Sequence, residues 1–250
     1  MATKRKFIAG FLEAMQRRLH WRAAPRGYVV CATPRSGSNY LCQLLASTGV
    51  LGVPREYFNA PGRRAYDDPN YPEDPRLQLA QVTSTGATPN GIYAFKIHPF
   101  QLQGLAGTID PFGELPGLSA VRLIRNDLVG QAISWWRVQQ TGQHRASDRR
   151  LNVAEYDEDG IRESLKFIRS ENGYWRDRLA KLGMTALEIA YEDLCRNPQA
   201  QIDRVAALLG VRQTARIDAS LVSVTVQRDQ TTEDWRRRFL AESRAETSSV

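Results

Sequence analysis

The chain is poor in the residues that hold metals and disulfides: 250 residues contain three cysteines and three histidines. Cys31, Cys42 and Cys195 lie far apart and form no C-x-x-C pair, so a structural zinc site does not fit, and a reducing, cytoplasmic setting with no metal is expected. Long apolar runs are missing too. Nothing approaches the roughly 20 residues of a membrane-spanning helix, and no apolar N-terminal stretch ends in a small-residue cleavage site, so the chain is expected to stay where it is made. Internal repeats are absent, and low complexity is confined to a short polar tail. One core of ordinary size accounts for the length.

Positive charge is in surplus, at +7, but it is concentrated. Residues 1–26 hold Lys4, Arg5, Lys6, Arg17, Arg18, Arg22 and Arg26 against Glu13 alone, a local charge of +6. Phe7, Ile8, Phe11, Leu12, Met15 and Leu19 recur there at helical spacing, which predicts a basic amphipathic helix over 1–26, separate from a main domain over 27–250. Three accounts of that helix stay open: packing on its own domain or a second subunit, contact with an anionic membrane surface, or organelle targeting. The remaining residues carry only +1, against the spread of charge that a nucleic-acid or membrane-binding face requires.

The segment from Tyr28 to Leu41 is the most informative. An apolar strand, Tyr28-Val29-Val30-Cys31, enters the loop Ala32-Thr33-Pro34-Arg35-Ser36-Gly37 and then an apolar helix beginning at Ser38-Asn39. Backbone N–H groups around Ser36, Gly37 and Ser38, with the unpaired N–H groups of the helix start, converge on one point and favour an anion there. Arg35 adds a planar fork suited to phosphate or sulfate oxygens. A Walker A loop would carry lysine after Gly37, where Ser38 stands, and this speaks against a P-loop kinase. The competing explanation is a strand-turn-helix corner that uses Pro, Gly and Ser only for its turn.

Further strands are predicted at Gly91–Ile97, Ala120–Ile124 and Thr185–Ala190. Helices are expected at about 38–48, 155–182, 198–209 and 233–242, with another after Asp127. Strands alternating with helices imply a mostly parallel sheet covered on both faces. The Pro-, Asp- and Asn-rich stretch from Ala60 to Pro89 reads as an irregular surface excursion. At the end of the third strand, Arg125 and, one helix later, Ser134 can meet on a single anion. Asn126 or Asp127 as an N-cap and Ser134 as filler is the alternative reading. The segment Tyr191-Glu192-Asp193-Leu194 followed by Asn197-Pro198 marks a strand-to-helix junction.

Together these segments resemble sulfotransferases that use 3′-phosphoadenosine-5′-phosphosulfate (PAPS), and more narrowly the trehalose 2-sulfotransferase family of bacteria. The agreement runs in order through Pro34–Ser38, Thr48–Val50 to Glu56–Phe58, Thr88–Gly91 with Lys96, Gln131–Arg137, and Asp229-Gln230 with Asp234–Arg236. The resemblance implies a P-loop-like three-layer α/β/α sulfotransferase fold. It implies PAPS as donor, with Pro34, Arg35, Ser36, Gly37, Ser38 and Asn39 at the 5′-phosphosulfate and Arg125 and Ser134 at the 3′-phosphate. Glu56 matches the family's proposed general base, with His98 in reserve, while Arg35 and Lys96 would stabilise charge during transfer. A carbohydrate or glycolipid acceptor and a homodimer are further implications, and residues 1–26 are a candidate contact with the membrane surface. Trp135, Trp136, Tyr57 and Phe58 are candidate stacking surfaces, and Asp229, Gln230 and Arg236 a candidate C-terminal flap.

Overall fold

The structure, a computed structural model, describes residues 26–144, 148, 151–224 and 230–247. The rest of the basic N-terminal segment and Asp229 lie outside the described residues. Four parallel strands form one sheet in the order β2-β1-β3-β4, where β1 is Arg26–Cys31, β2 Ile92–Ile97, β3 Leu118–Ile124 and β4 Ala186–Ala190. The register sets Val30 beside Lys96, Val29 beside Ala120, and Ile124 beside Ala190. In chain order the helices are α1 Ser38–Ser47, α2 Ala60–Tyr66, α3 Pro75–Ser84, α4 Pro99–Gly104 and α5 Pro111–Glu114, then α6 Leu128–Thr141, α7 Glu158–Lys181, α8 Tyr191–Arg196, α9 Pro198–Leu208 and α10 Gln230–Thr247.

Strand β1 is apolar at nearly every position because both of its faces are covered. Tyr28, Val30 and Ala32 point into a core with Leu41 and Leu45 of α1 and Ile202 and Val205 of α9. Val29 and Cys31 point the other way, into a core with Phe95, Trp175 and Leu179. A third cluster, including Ile133, Ile161, Ile168 and Phe239, joins α6, α7 and α10. The result is the three-layer α/β/α arrangement expected from the alternation of elements.

The excursion from Ala60 to Pro89 is not irregular: it contains α2 and α3. Asn59 and Asp74 cap them through side chains that accept from Gly62 and Arg76 backbone N–H groups, and each helix has proline in its first turn. Proline there removes an N–H that has no helical partner in any case, so it starts these helices instead of breaking them.

The strand order places the site. The strand order switches sides at β1, with β2 on one side and β3 and β4 on the other, so the loop after β1 opens into a crevice at the carboxyl edge of the sheet. The residues that follow the four strands, Ala32 to Gly37, His98, Arg125 and Tyr191, all emerge along that edge.

Candidate active site

Arg35 adopts φ +60, the only non-glycine residue with positive φ among the described residues. That conformation is disfavoured for a side chain with a Cβ, and the surroundings hold it there. Gln131 of α6, fully buried, donates from Nε2 to Thr33 Oγ1 at 2.9 Å and to the Pro34 carbonyl at 2.6 Å. Arg125 donates to the Arg35 carbonyl at 3.3 Å. Gly37, at φ +90, is the N-cap of α1, and a Cβ there would lie 2.3 Å from the Tyr191 ring. Glycine is thus required both by backbone shape and by close approach.

On the β3 side, the Arg35 side chain reaches away from its own loop. Its Nε donates to Ser134 Oγ at 2.9 Å and a terminal nitrogen donates to the His144 carbonyl at 2.9 Å. Burial, then the Arg125 and Arg137 guanidinium groups, pull Arg35 below the ordinary arginine value. Arg125 lies over the Tyr191 ring at 5.2 Å and 3.6 Å from Asp127 Oδ2. Asp127 caps α6 by accepting from Gly130 N–H and also pairs with Arg236 of α10 at 3.2 Å. Glu192 accepts from the N–H groups of Asn126 and Asp127, which fixes the turn carrying Arg125. The buried Oγ of Ser36 and Nε of Arg125 have no partner among the described residues.

The β2 side holds a second cluster. Lys96 is 3% exposed and is no surface lysine: its Nζ meets Glu56 Oε1 at 2.6 Å, Asn39 Oδ1 at 2.6 Å and Ser38 Oγ at 3.4 Å. Glu56 Oε2 accepts from Gln101 Nε2 at 2.7 Å and Asn59 Nδ2 at 2.8 Å. Burial alone would raise the Glu56 carboxyl, but Lys96 and His98 outweigh it and hold the group well below its ordinary range. His98 Nδ1 lies 3.0 Å from the Ala32 carbonyl, which can only accept, so that nitrogen carries a proton and Nε2 is left facing Glu56 Oε1 at 3.7 Å.

The family model for Stf0 sulphotransferases matches residues 27–242. The chain belongs to the Stf0 sulphotransferase family. It is 30% identical over 262 residues to the trehalose 2-sulfotransferase of Mycobacterium tuberculosis, covering 88% of this chain and 96% of the relative. Identity to the enzyme of the same name from Mycolicibacterium smegmatis is 28% over 257 residues, covering 86% and 94%. In fold, the chain is similar to the sulfotransferase domain from the curacin biosynthetic pathway, with a TM-score of 0.50 at 14% identity, covering 86% of this chain and 97% of that domain. The protein is a sulfotransferase with the P-loop-like fold of these enzymes.

The fold therefore gathers the sequence-predicted residues of this sulfotransferase into two adjoining groups. Arg35, Arg125 and Ser134 form one; Ser38, Asn39, Glu56, Lys96 and His98 form the other. Of the candidate aromatic surfaces, Tyr57 and Phe58 are buried in the core with Phe95 and are consumed by packing, whereas Trp135, stacked on Phe167, and Trp136, against Gly160, are only partly buried. Gln131, Tyr191 and Glu192 fell within segments singled out in the sequence without a role assigned to them, and Gln101 and Asn59 were not singled out, since each of the five buttresses another residue. Of the candidate flap, Arg236 reaches the site through Asp127. Among the described residues, no three His, Cys, Asp or Glu side chains gather in a metal-holding group, and no helix is long and apolar enough to cross a membrane.

Proposed function

We propose that this sulfotransferase moves a sulfuryl group from PAPS to a hydroxyl of a carbohydrate acceptor by in-line displacement, with Glu56 as general base. The observation that carries this reading is the contact of one buried cation, Lys96, with both the anion loop and the Glu56 carboxylate. It sets a proton acceptor immediately beside a place built for anions. The carbohydrate acceptor is supported by the trehalose 2-sulfotransferase names of the relatives.

The residues fit a doubly phosphorylated adenine nucleotide. A buried Ser36 hydroxyl without a partner among the described residues and three neighbouring guanidinium groups, beside the start of α1, form a positive cradle. Pro34 to Asn39 would hold the 5′-phosphosulfate end, with Arg125 and Ser134 at the 3′-phosphate. Arg35 lies between them. When bound, PAPS supplies an activated sulfuryl group and a phosphate leaving group. Lys96 and the loop amides stabilise the charge that grows on oxygen as transfer proceeds.

Glu56 keeps its Oε2 occupied by two amide donors and offers Oε1 to a hydroxyl proton. A carboxylate pinned by Lys96 is a weak proton acceptor. Any anion that draws the ammonium group toward itself raises the basicity of Glu56, so occupancy of the anion loop and activation of the base are linked electrostatically. His98 is the second candidate base: the neutral ring, with its proton on Nδ1, leaves Nε2 free to accept one, whereas the protonated ring is the form that holds Glu56 down. The two bases are separated by comparing Glu56→Gln with His98→Gln in turnover number.

The test is a melting comparison with adenosine 3′,5′-bisphosphate, ATP and no ligand, followed by labelled PAPS with trehalose and a panel of sugars. Stabilisation by the bisphosphate alone and label transfer to a sugar are expected. Equal stabilisation by ATP would favour a kinase-like site instead. The same reading expects a homodimer and contact of residues 1–26 with anionic membranes, checked by light scattering and by vesicle flotation.

A further inference from the structure

Phe100 is an exposed aromatic ring held in a fixed position at the edge of the Glu56 pocket. It is 46% exposed, although it lies only two residues beyond His98 and four beyond Lys96. One face of its ring stacks on the His98 imidazole, with centroids 5.5 Å apart and planes 12° from parallel. The turn that carries it is anchored from several directions. Its N–H donates to the buried Glu171 of α7, the His98 N–H donates to Gln101 Oε1, and Gln101 in turn reaches Glu56. His98 is itself tied to the Ala32 carbonyl. An exposed phenylalanine normally costs hydration free energy, and a ring so fixed loses little further entropy when something covers it.

We propose that Phe100, stacked on His98, is the acceptor-binding platform: it receives the apolar C–H face of a pyranoside ring while Glu56 and His98 meet the hydroxyl groups at its rim. The inference rests on the carbohydrate-acceptor reading and names the residue that selects for it. A pyranose ring is apolar on its faces and polar at its edge, and an aromatic wall beside a carboxylate and an imidazole matches that distribution. Tyr57 and Phe58 are buried, and Trp135 and Trp136 are partly buried against α7 and its neighbours, whereas Phe100 has the more open ring.

The experiment uses the full chain saturated with adenosine 3′,5′-bisphosphate, and trehalose and methyl α-D-glucopyranoside as probes. Saturation-transfer NMR from aromatic protons should reach the ring C–H protons of at least one sugar and be lost in Phe100→Ala. In steady-state sulfation of trehalose, Phe100→Ala should raise the acceptor KM about five- to tenfold, leave the PAPS KM unchanged and keep kcat within about twofold. Phe100→Trp should restore the wild-type KM. An acceptor KM and saturation transfer indifferent to Phe100→Ala overturn the platform while leaving the sulfotransferase reading intact, and so does the absence of transfer to either sugar in the wild type. Failure of the bisphosphate to stabilise the wild-type protein strikes instead at the donor reading.

Discussion

The corner between β1 and β3 and the pocket between β1 and β2 grow from the same strand end, yet they manage charge in opposite ways. At the corner Arg35, Arg125 and Arg137 crowd together, and Asp127, the carboxylate nearest Arg125, is shared with Arg236. Among the described residues Arg35 meets only a hydroxyl and a carbonyl. In the pocket the single carboxylate Glu56 is matched by Lys96 and by two amides. On the proposed reading, crowded guanidinium groups are prepared to take an anion, which relieves the repulsion between them. A region whose charges are already matched is prepared to change protonation state when one partner moves. On the proposed reading, the difference separates grip from chemistry.

The sharpest way to break that division is Glu56→Gln. Glutamine keeps the size and still accepts from Lys96, so the fold should survive, while turnover should fall at least about 10²-fold, the scale of general-base loss. Affinity for adenosine 3′,5′-bisphosphate, read by calorimetry, should stay within about threefold. Unchanged turnover would remove Glu56 from the chemistry. The companion variant Lys96→Met leaves the carboxyl buried without its cation. Its pKa should then rise, and the acid limb of the kcat–pH profile should move to higher pH.

Arg125→Ala should produce the converse pattern. Losing a charge-assisted contact of about 1.5–3 kcal/mol predicts about 10- to 100-fold weaker binding of adenosine 3′,5′-bisphosphate. Preference over the nucleotide without the 3′-phosphate should be lost with it. Titration of both nucleotides against wild type and variant reads this directly, and an undiminished preference would place the 3′-phosphate elsewhere.

Gly37→Ala acts on the shared strand end and should weaken both regions together. It forces an L side chain into φ +90 and sets a Cβ 2.3 Å from the Tyr191 ring that also supports Arg125. A stability loss of about 1–3 kcal/mol is expected in denaturant unfolding. Nucleotide affinity should drop as well, because the Tyr191 ring cannot yield without disturbing Arg125.

The corner was more legible in the sequence than the pocket, for a physical reason. Its parts follow strands β1 and β3 within a few residues, and backbone N–H groups, a glycine and an arginine at a strand end announce an anion site by local pattern alone. The pocket is assembled from Ser38 and Asn39 at the start of α1, Glu56 in a loop, Lys96 in β2, and His98 and Gln101 at the start of α4. Only the parallel pairing of Val30 with Lys96 brings them together. Two residues taken as aromatic surface, Tyr57 and Phe58, fill the core, since hydrophobic spacing does not distinguish a ring that packs from one that waits for a ligand. Phe100 was overlooked because a lone aromatic after His98-Pro99 carries no periodicity. Helices α2 and α3 were hidden by prolines that read as breakers until their caps were seen.

The smallest expected effect concerns a second buried carboxylate. Glu171 is 7% exposed, and its Oε2 has no hydrogen-bond partner among the described residues. Burial pushes it up to about 7, offset only in part by the Phe100 N–H. In the unfolded chain the same group releases its proton near 4.5. Between those two values the folded state holds a proton that the unfolded state has lost, so this group lowers stability progressively as pH rises from about 4.5 to about 7. Glu171→Gln cannot titrate and still offers a carbonyl oxygen to Phe100. The two proteins should therefore differ little in acid and diverge through that window, the variant becoming more stable by on the order of 2 kcal/mol above neutrality. Denaturant unfolding at a series of pH values reads the divergence. Parallel stability curves would mean that Glu171 ionises as freely as an exposed carboxylate.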